Sequence, residues 1–238
     1  MTTSPPVGQT LTNWTPREAP PRTVMQGRFC RLEPLDPERH AADLFAANQL
    51  DSDGRNWTYL FQEPFGDLAS FRAWLEQVAK PDDPLFHTIV DLKTGKAVGV
   101  AMFMRIDRTH GVIEVGNINY SPLLQRTPAA TEAMFLMMRR AFDELSYRRY
   151  EWKCDSLNAP SRAAALRLGF QYEGLFQQAV VYKGRNRDTA WFSMIDREWP
   201  ALRDAYEQWL APDNFDAAGR QQRKLSDFMA AREGQAEP

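Results

Sequence analysis

The stretch VIEVGNINYSPLLQRTPAATEAMFLMMRRAFDELS, residues 112–146, changes periodicity halfway along. Its first part, VIEVGNINYSP (112–122), is β-rich and ends at Pro122. From Ala129 to Ser146 apolar residues recur at helical spacing: Met134, Met138, Ala141 and Leu145 form one stripe, widened by Phe135 and Phe142. A strand therefore runs through a proline-bearing turn into the N-terminus of a long helix.

Upstream, LFHTIVDL (85–92), AVGVAMFMRID (97–107) and the 112–122 run are joined by short turns and read as an antiparallel meander. Before them, FCRLEPLD (29–36) reads as a strand. Asp36, Pro37 and Glu38 then start a helix over 37–48, because Asp caps free N–H groups and Pro suits the first helical position. A polar, aromatic loop (51–67) leads to a second helix over 67–79 with Phe71, Trp74, Leu75 and Val78 in phase. Downstream lie a strand over 147–155, a short helix (161–169) ending at Gly169, and a hairpin over 170–194 with its turn at GRNRD. The order β-α-α-β-β-β-α-β-α-β-β implies an α/β or α+β fold, a mixed sheet with helices on its faces.

Three segments follow: residues 1–26, with five prolines, as an extended or disordered arm; 27–197 as the domain; and 198–238 as a Trp-bearing helix and charged tail. Trp14 is positioned to dock the arm. Charge is balanced, Lys+Arg 29 against Asp+Glu 31, so nothing advertises nucleic acid. No apolar run approaches the ~20 residues a bilayer span needs. Cys30 and Cys154 form no CxxC pair, and His40, His87 and His110 have no metal-ligand spacing, so no metal is expected. The start has no signal-peptide pattern, which makes a reduced, cytoplasmic setting the expectation.

The element order, with NYSPLLQRTPAATEAM (119–134) and NAPSRAAALRLGFQYEG (158–174), resembles the GNAT superfamily of acyl-CoA-dependent N-acyltransferases over roughly 28–197. Within it the chain is similar to the branch of ribosomal-protein N-terminal and related small-molecule acetyltransferases. The hairpin from Gly184 to Trp191 fits that branch. The resemblance implies a mixed, mostly antiparallel sheet of about seven strands, acetyl-CoA as co-substrate, an amine acceptor and a homodimer. The family's pyrophosphate loop, Q/R-x-x-G-x-G/A, falls on Gln125, Arg126, Thr127, Pro128, Ala129 and Ala130, where both glycines are missing. A helix N-terminus still offers unpaired N–H groups and partial positive charge. Pro128 removes one donor and leaves Ala129, Ala130 and Thr131 as the expected ones.

Transfer to an amine needs a neutral amine, a stabilised oxyanion and a tolerated thiolate. The resemblance points to Glu114 as the base, with Glu151, Asp155 and Glu173 behind it; apolar strand neighbours around Glu114 would suit proton removal. A plain polar position on an alternating strand fits Glu114 equally. The family's oxyanion donor maps to the backbone N–H of Ile118 or Asn119, where two central strands splay and the pantetheine arm lies. Gly116 is compatible with a bulge there. Many members place a Tyr where this chain has Ala165, which shifts thiolate stabilisation to Ser161 and pantetheine binding to Asn158. Asn158 as a turn residue and Ser161 as a helix cap are the structural alternatives. Cys154 has no His nearby to activate it, so packing is its expected role. Arg139, Arg140, Arg148, Arg149, Lys183, Arg185 and Arg187 are available to a 3′-phosphate or an acidic acceptor, with Arg139 and Arg140 expected on the solvated side of the long helix. Trp57, Tyr59, Phe61 and Phe65 are candidate walls of an acceptor pocket or core residues. The reading is an N-acetyltransferase acting by direct attack on a primary amine of a small molecule or peptide N-terminus. A non-catalytic acyl-CoA-binding module and an interaction domain of the same fold are the alternatives.

Overall fold

In the computed structural model, which describes residues 5–229, side-chain caps and prolines set where most helices begin. Residues 1–4 of the arm and 230–238 of the tail lie outside the described residues. Helix α1 (Pro37–Asn48) starts where the Asp36 carboxylate accepts from the N–H groups of Glu38 and Arg39. Asp67 caps α2 (Leu68–Val78), Thr127 caps α3 (Pro128–Arg139) and Asn158 caps α4 (Ala159–Arg167). Helices α5 (Trp199–Leu210) and α6 (Leu225–Met229) follow.

The strands are β1 (Met25–Gln26), β2 (Cys30–Pro34), β3 (Leu85–Asp91), β4 (Ala97–Asp107), β5 (Val112–Tyr120), β6 (Arg149–Asp155), β7 (Gln171–Tyr182) and β8 (Arg185–Ile195). Among the described residues they form one sheet in the order β1-β2-β3-β4-β5-β6-β8-β7. Every neighbouring pair is antiparallel except β5–β6, where α3 makes the crossover that a parallel pair requires. Helices α1 and α2 cover one face; α3, α4 and α5 cover the other.

The mixed, mostly antiparallel sheet of about seven strands is present, with eight strands in all because the end of the arm pairs Met25 with Leu32 as a short edge strand. Three expectations are corrected. The long helix is not continuous to Ser146: it passes into a π-turn at Arg140–Glu144. Arg140 is not solvated. It is buried, bonds the carbonyls of Thr23 and Val24 and pairs with Glu144, fastening the arm to the π-turn. The β7–β8 turn is only Lys183-Gly184, both with positive φ, so Arg185, Asn186 and Arg187 belong to a strand.

The arm lies docked. Trp14 Nε1 donates to the Thr109 carbonyl at 2.9 Å, and a Cβ on Gly111 would sit 2.7 Å from the Trp14 ring, so glycine is required there. Helix α3 is buried from Ala129 to Met138 because α5 covers its outer side. Phe135 stacks on Tyr206 at 5.2 Å, and Phe142 on Trp199 at 5.2 Å. The Glu132 carboxylate of α3 accepts from the N–H groups of Arg28, Phe29 and Cys30, tying the helix to β2. Among the described residues, no helix is long and apolar enough to cross a membrane.

His87 on β3 is fully buried against Phe103, and burial, helped by the Arg140 guanidinium, pushes it down from 6.5 to about 3. Between these values the unfolded chain binds a proton that the folded chain does not, so stability rises with pH from about 3 to 6.5. The expected slope is up to about 1.4 kcal/mol per pH unit from this group alone. Denaturant titrations of wild type and His87→Leu between pH 4 and 8 should show a shallower acid loss in the variant; parallel curves would contradict this.

Candidate active site

Strands β5 and β6 pair only from Val112↔Arg149 to Val115↔Trp152. Beyond that point they separate. On the β4 side, Met102 faces Gly116 and Val100 faces Asn119, so Asn117 and Ile118 together oppose Ala101 as a bulge. Asn117 takes a φ of 45°. A Cβ on Gly116 would lie 2.5 Å from Met104 Sδ, so glycine lets the strands pack where the bulge begins. The expected splay and bulge are both present. The gap opens into a cleft of about 1590 Å³ that runs through the sheet.

One end of the cleft is the N-terminus of α3. Arg126 has a φ of 60°, the left-handed conformation that glycine takes easily. The Thr127 hydroxyl accepts from Ala130 N–H at 3.3 Å, and Thr127 N–H donates to the Leu124 carbonyl. Ala130 is therefore occupied, contrary to expectation. Among the described residues the N–H groups of Arg126 and Ala129 have no recorded partner and remain as donors. Gln125 is used differently: its Nε2 donates to Asn56 Oδ1 and to the Tyr120 carbonyl, both at 2.8 Å, which braces the 51–67 loop. Arg126, Arg167 and Lys224 bring positive charge to this end.

Asn158 and Ser161 line the same wall. Asn158 Oδ1 accepts from Ser161 N–H at 3.1 Å, so Asn158 is the helix cap and Ser161 is not. Ser161 Oγ accepts from Trp152 Nε1 at 3.0 Å and stands beside Cys154. Burial pushes the Cys154 thiol up, which suits a packing residue rather than a nucleophile.

Glu114 is 3% exposed and lines the cleft. Its neighbours are not the apolar ones anticipated. Oε2 receives Lys153 Nζ at 2.8 Å and Arg105 Nη1 at 2.8 Å. Lys153 also reaches Glu151 at 2.7 Å and lies 3.7 Å from the centre of the Trp191 ring. Glu151 pairs onward with Arg149, and Arg149 with Glu173. Arg149 holds the Glu173 carboxyl down at about 2. Glu151 and Glu173 thus belong to an ion-pair chain, and Asp155 accepts from the Tyr182 hydroxyl at 2.7 Å. Sequence reasoning missed Lys153. A charged residue in the strand YRRYEWKCD, between Trp152 and Cys154, was the available signal. The aromatic loop divides: Tyr59 and Phe61 line the cleft, whereas Trp57 and Phe65 pack with Phe71 and Trp74. Among the described residues no group of three His, Cys, Asp or Glu side chains is placed to hold a metal.

Comparison with known proteins agrees with this geometry. Residues 30–171, more than half of the chain, match the model of the acetyltransferase (GNAT) domain. A solved GCN5-related N-acetyltransferase from Brucella melitensis is 52% identical, covering 92% of this chain and 100% of that one, with a TM-score of 0.90. The uncharacterized N-acetyltransferase p20 of Bacillus licheniformis is 27% identical over 154 residues, 63% of this chain and 86% of its own. A Bacillus subtilis (strain 168) protein named provisionally as the ribosomal N-acetyltransferase YdaF is 25% identical over 173 residues, 71% and 90% of the two chains.

Thr127→Val removes the α3 cap while keeping side-chain shape. It should cost about 1 kcal/mol and lower the melting midpoint by about 2–4 °C. Acetyl-CoA affinity should stay within about threefold, because the Arg126 and Ala129 donors are untouched. Thermal melts with calorimetric titration check both; a tenfold affinity loss would make the Thr127 hydroxyl itself a ligand.

Proposed function

The chain belongs to the GNAT acetyltransferase family, enzymes that use acetyl-CoA as acetyl donor, and from that premise we propose that it N-acetylates a primary amine by direct attack within a ternary complex. The observation that carries this reading is the β5–β6 splay, with free α3 N–H groups at one end and buried Glu114 at the other.

The donor fits this wall. Arg126 and Ala129 N–H groups suit a diphosphate, with Arg126, Arg167 and Lys224 offsetting its charge. The open edge of β5 accepts the pantetheine arm as an added strand. Asn158 retains its amide N–H groups for a pantetheine carbonyl, since only its oxygen is committed to the cap.

Each chemical requirement then has a residue. Glu114 takes the ammonium proton, directly or through water, and leaves the lone pair free to attack the thioester carbon. Ile118 lies in the bulge, where a strand residue is left out of the ladder, so its N–H serves the oxyanion. Asn119, 5% exposed with an unpartnered Oδ1, accepts from the attacking amine. The Ser161 hydroxyl, oriented by Trp152, donates to the departing sulfur. The acceptor is a small molecule or a peptide N-terminus entering beneath Tyr59 and Phe61.

Glu114→Gln should lower kcat/KM by about 10²–10⁴-fold, with acetyl-CoA affinity retained within about threefold. Unchanged turnover on an amine panel would remove Glu114 as the base. Direct attack also requires that Cys154→Ala keep activity within a fewfold and that no acetyl-enzyme appear in the intact mass spectrum. An acetylated Cys154 would overturn the ternary mechanism.

A further inference from the structure

Buried polar atoms in folded proteins nearly always have hydrogen-bond partners. Among the described residues, five side-chain atoms of cleft residues have none: Asn119 Oδ1, Arg187 Nε, Thr189 Oγ1, Trp191 Nε1 and, on α5, Trp209 Nε1. Three of these residues alternate along β8 and so share one face of the sheet. They share it with Asp155 and Lys153, their cross-strand partners on β6. Phe176 continues this surface, stacked on Trp191 at 4.3 Å.

Arg187 differs from the other cations on this side of the cleft. Arg55 pairs with Asp53, Arg105 with Glu114, and Lys153 with Glu114 and Glu151. Arg187 pairs with no carboxylate among the described residues. Its guanidinium carbon lies 5.9 Å from the ring centres of Phe61 and of Tyr182, a position fixed by aromatic surfaces rather than by an anion. Among the described residues, the other cleft cations with no carboxylate partner, Arg126, Arg167 and Lys224, stand at the α3 end, the proposed site of the donor's phosphates. Arg187 is thus left to the acceptor. A guanidinium's fixed fork of donors matches an oxyanion in two-point contact.

We infer that the acceptor is an amine that also carries an oxyanion, carboxylate or phosphonate-like, on an apolar or aromatic body, and that Arg187 receives that group. The inference rests on the acetyl-transfer reading above and narrows its substrate class. Polyamines and other purely cationic acceptors are disfavoured by the same charge.

The test compares L-phenylalanine, its phosphonate analogue, phenethylamine and spermidine as acceptors for wild type, Arg187→Met and Arg187→Lys. The expected result is at least a tenfold preference in kcat/KM for an anionic amine over phenethylamine. The ratio should fall toward unity in Arg187→Met and recover in part in Arg187→Lys. The carboxylate-to-phosphonate ratio identifies the oxyanion. Equal or better use of phenethylamine or spermidine, or a preference that survives in Arg187→Met, overturns the inference. If none of the amines consumes thioester, the transferase reading fails for this class. Calorimetry on the CoA-loaded protein then decides the role of Arg187: N-acetyl-L-phenylalanine should bind more tightly than N-acetylphenethylamine only where Arg187 is intact. Absence of that dependence overturns the inference.

Discussion

Four residue pairs hold β5 to β6, and then the ladder stops. The cleft of this molecule follows from that early end. The two strands cannot close the gap by sliding, because each is fixed on its other side. Strand β6 pairs with β8 along its whole length, from Arg149↔Ile195 to Asp155↔Thr189. Strand β5 stays on β4 by absorbing one extra residue in a bulge. A bulge bends its strand and leaves a residue outside the ladder, so one defect both opens the cleft and exposes a donor to it. The Tyr120 hydroxyl, bonded to the Ala130 carbonyl at 3.1 Å, then holds the α3 N-terminus at the mouth.

Charge runs from the cleft out along the sheet as an alternating chain: Arg105, Glu114 and Lys153 in the cleft wall, then Glu151, Arg149 and Glu173 beyond it. Buried ions need partners, and removing one from such a pair commonly costs about 3–5 kcal/mol. The chain satisfies its inner members through one another and reaches partly exposed residues at both ends. Glu114 is therefore both a member of a buried ionic structure and a carboxylate lining the cleft. Those partners explain how a carboxylate is buried here without an apolar pocket around it.

The 51–67 loop spans the cleft because it is tied to both banks. Asn56 bonds the Tyr120 carbonyl and receives Gln125, Tyr59 bonds the Leu157 carbonyl, and Lys183 bonds the Trp57 carbonyl. Long loops in compact domains usually carry function. These ties make this one a fixed roof, with Tyr59 and Phe61 toward the cleft and Trp57 and Phe65 anchored in the core.

Local signals in the sequence determined the helix starts at Asp36-Pro37 and Thr127-Pro128, the meander, and the approach of a helix N-terminus to a strand end. Each rests on residues within a few positions of one another, where capping, proline geometry and strand alternation act. The motif resemblance supplied the family and placed Glu114, Asn119, Asn158 and Ser161 on one cleft. Only the tertiary structure decided what surrounds them. Lys153 meets Glu114 because a parallel crossover sets two distant strands side by side. Arg140 is buried because the arm folds back over it, and Arg187 lines the cleft because a turn two residues long placed it in a strand. Cross-strand register and burial join residues far apart in the chain, and no local periodicity encodes which ones will meet.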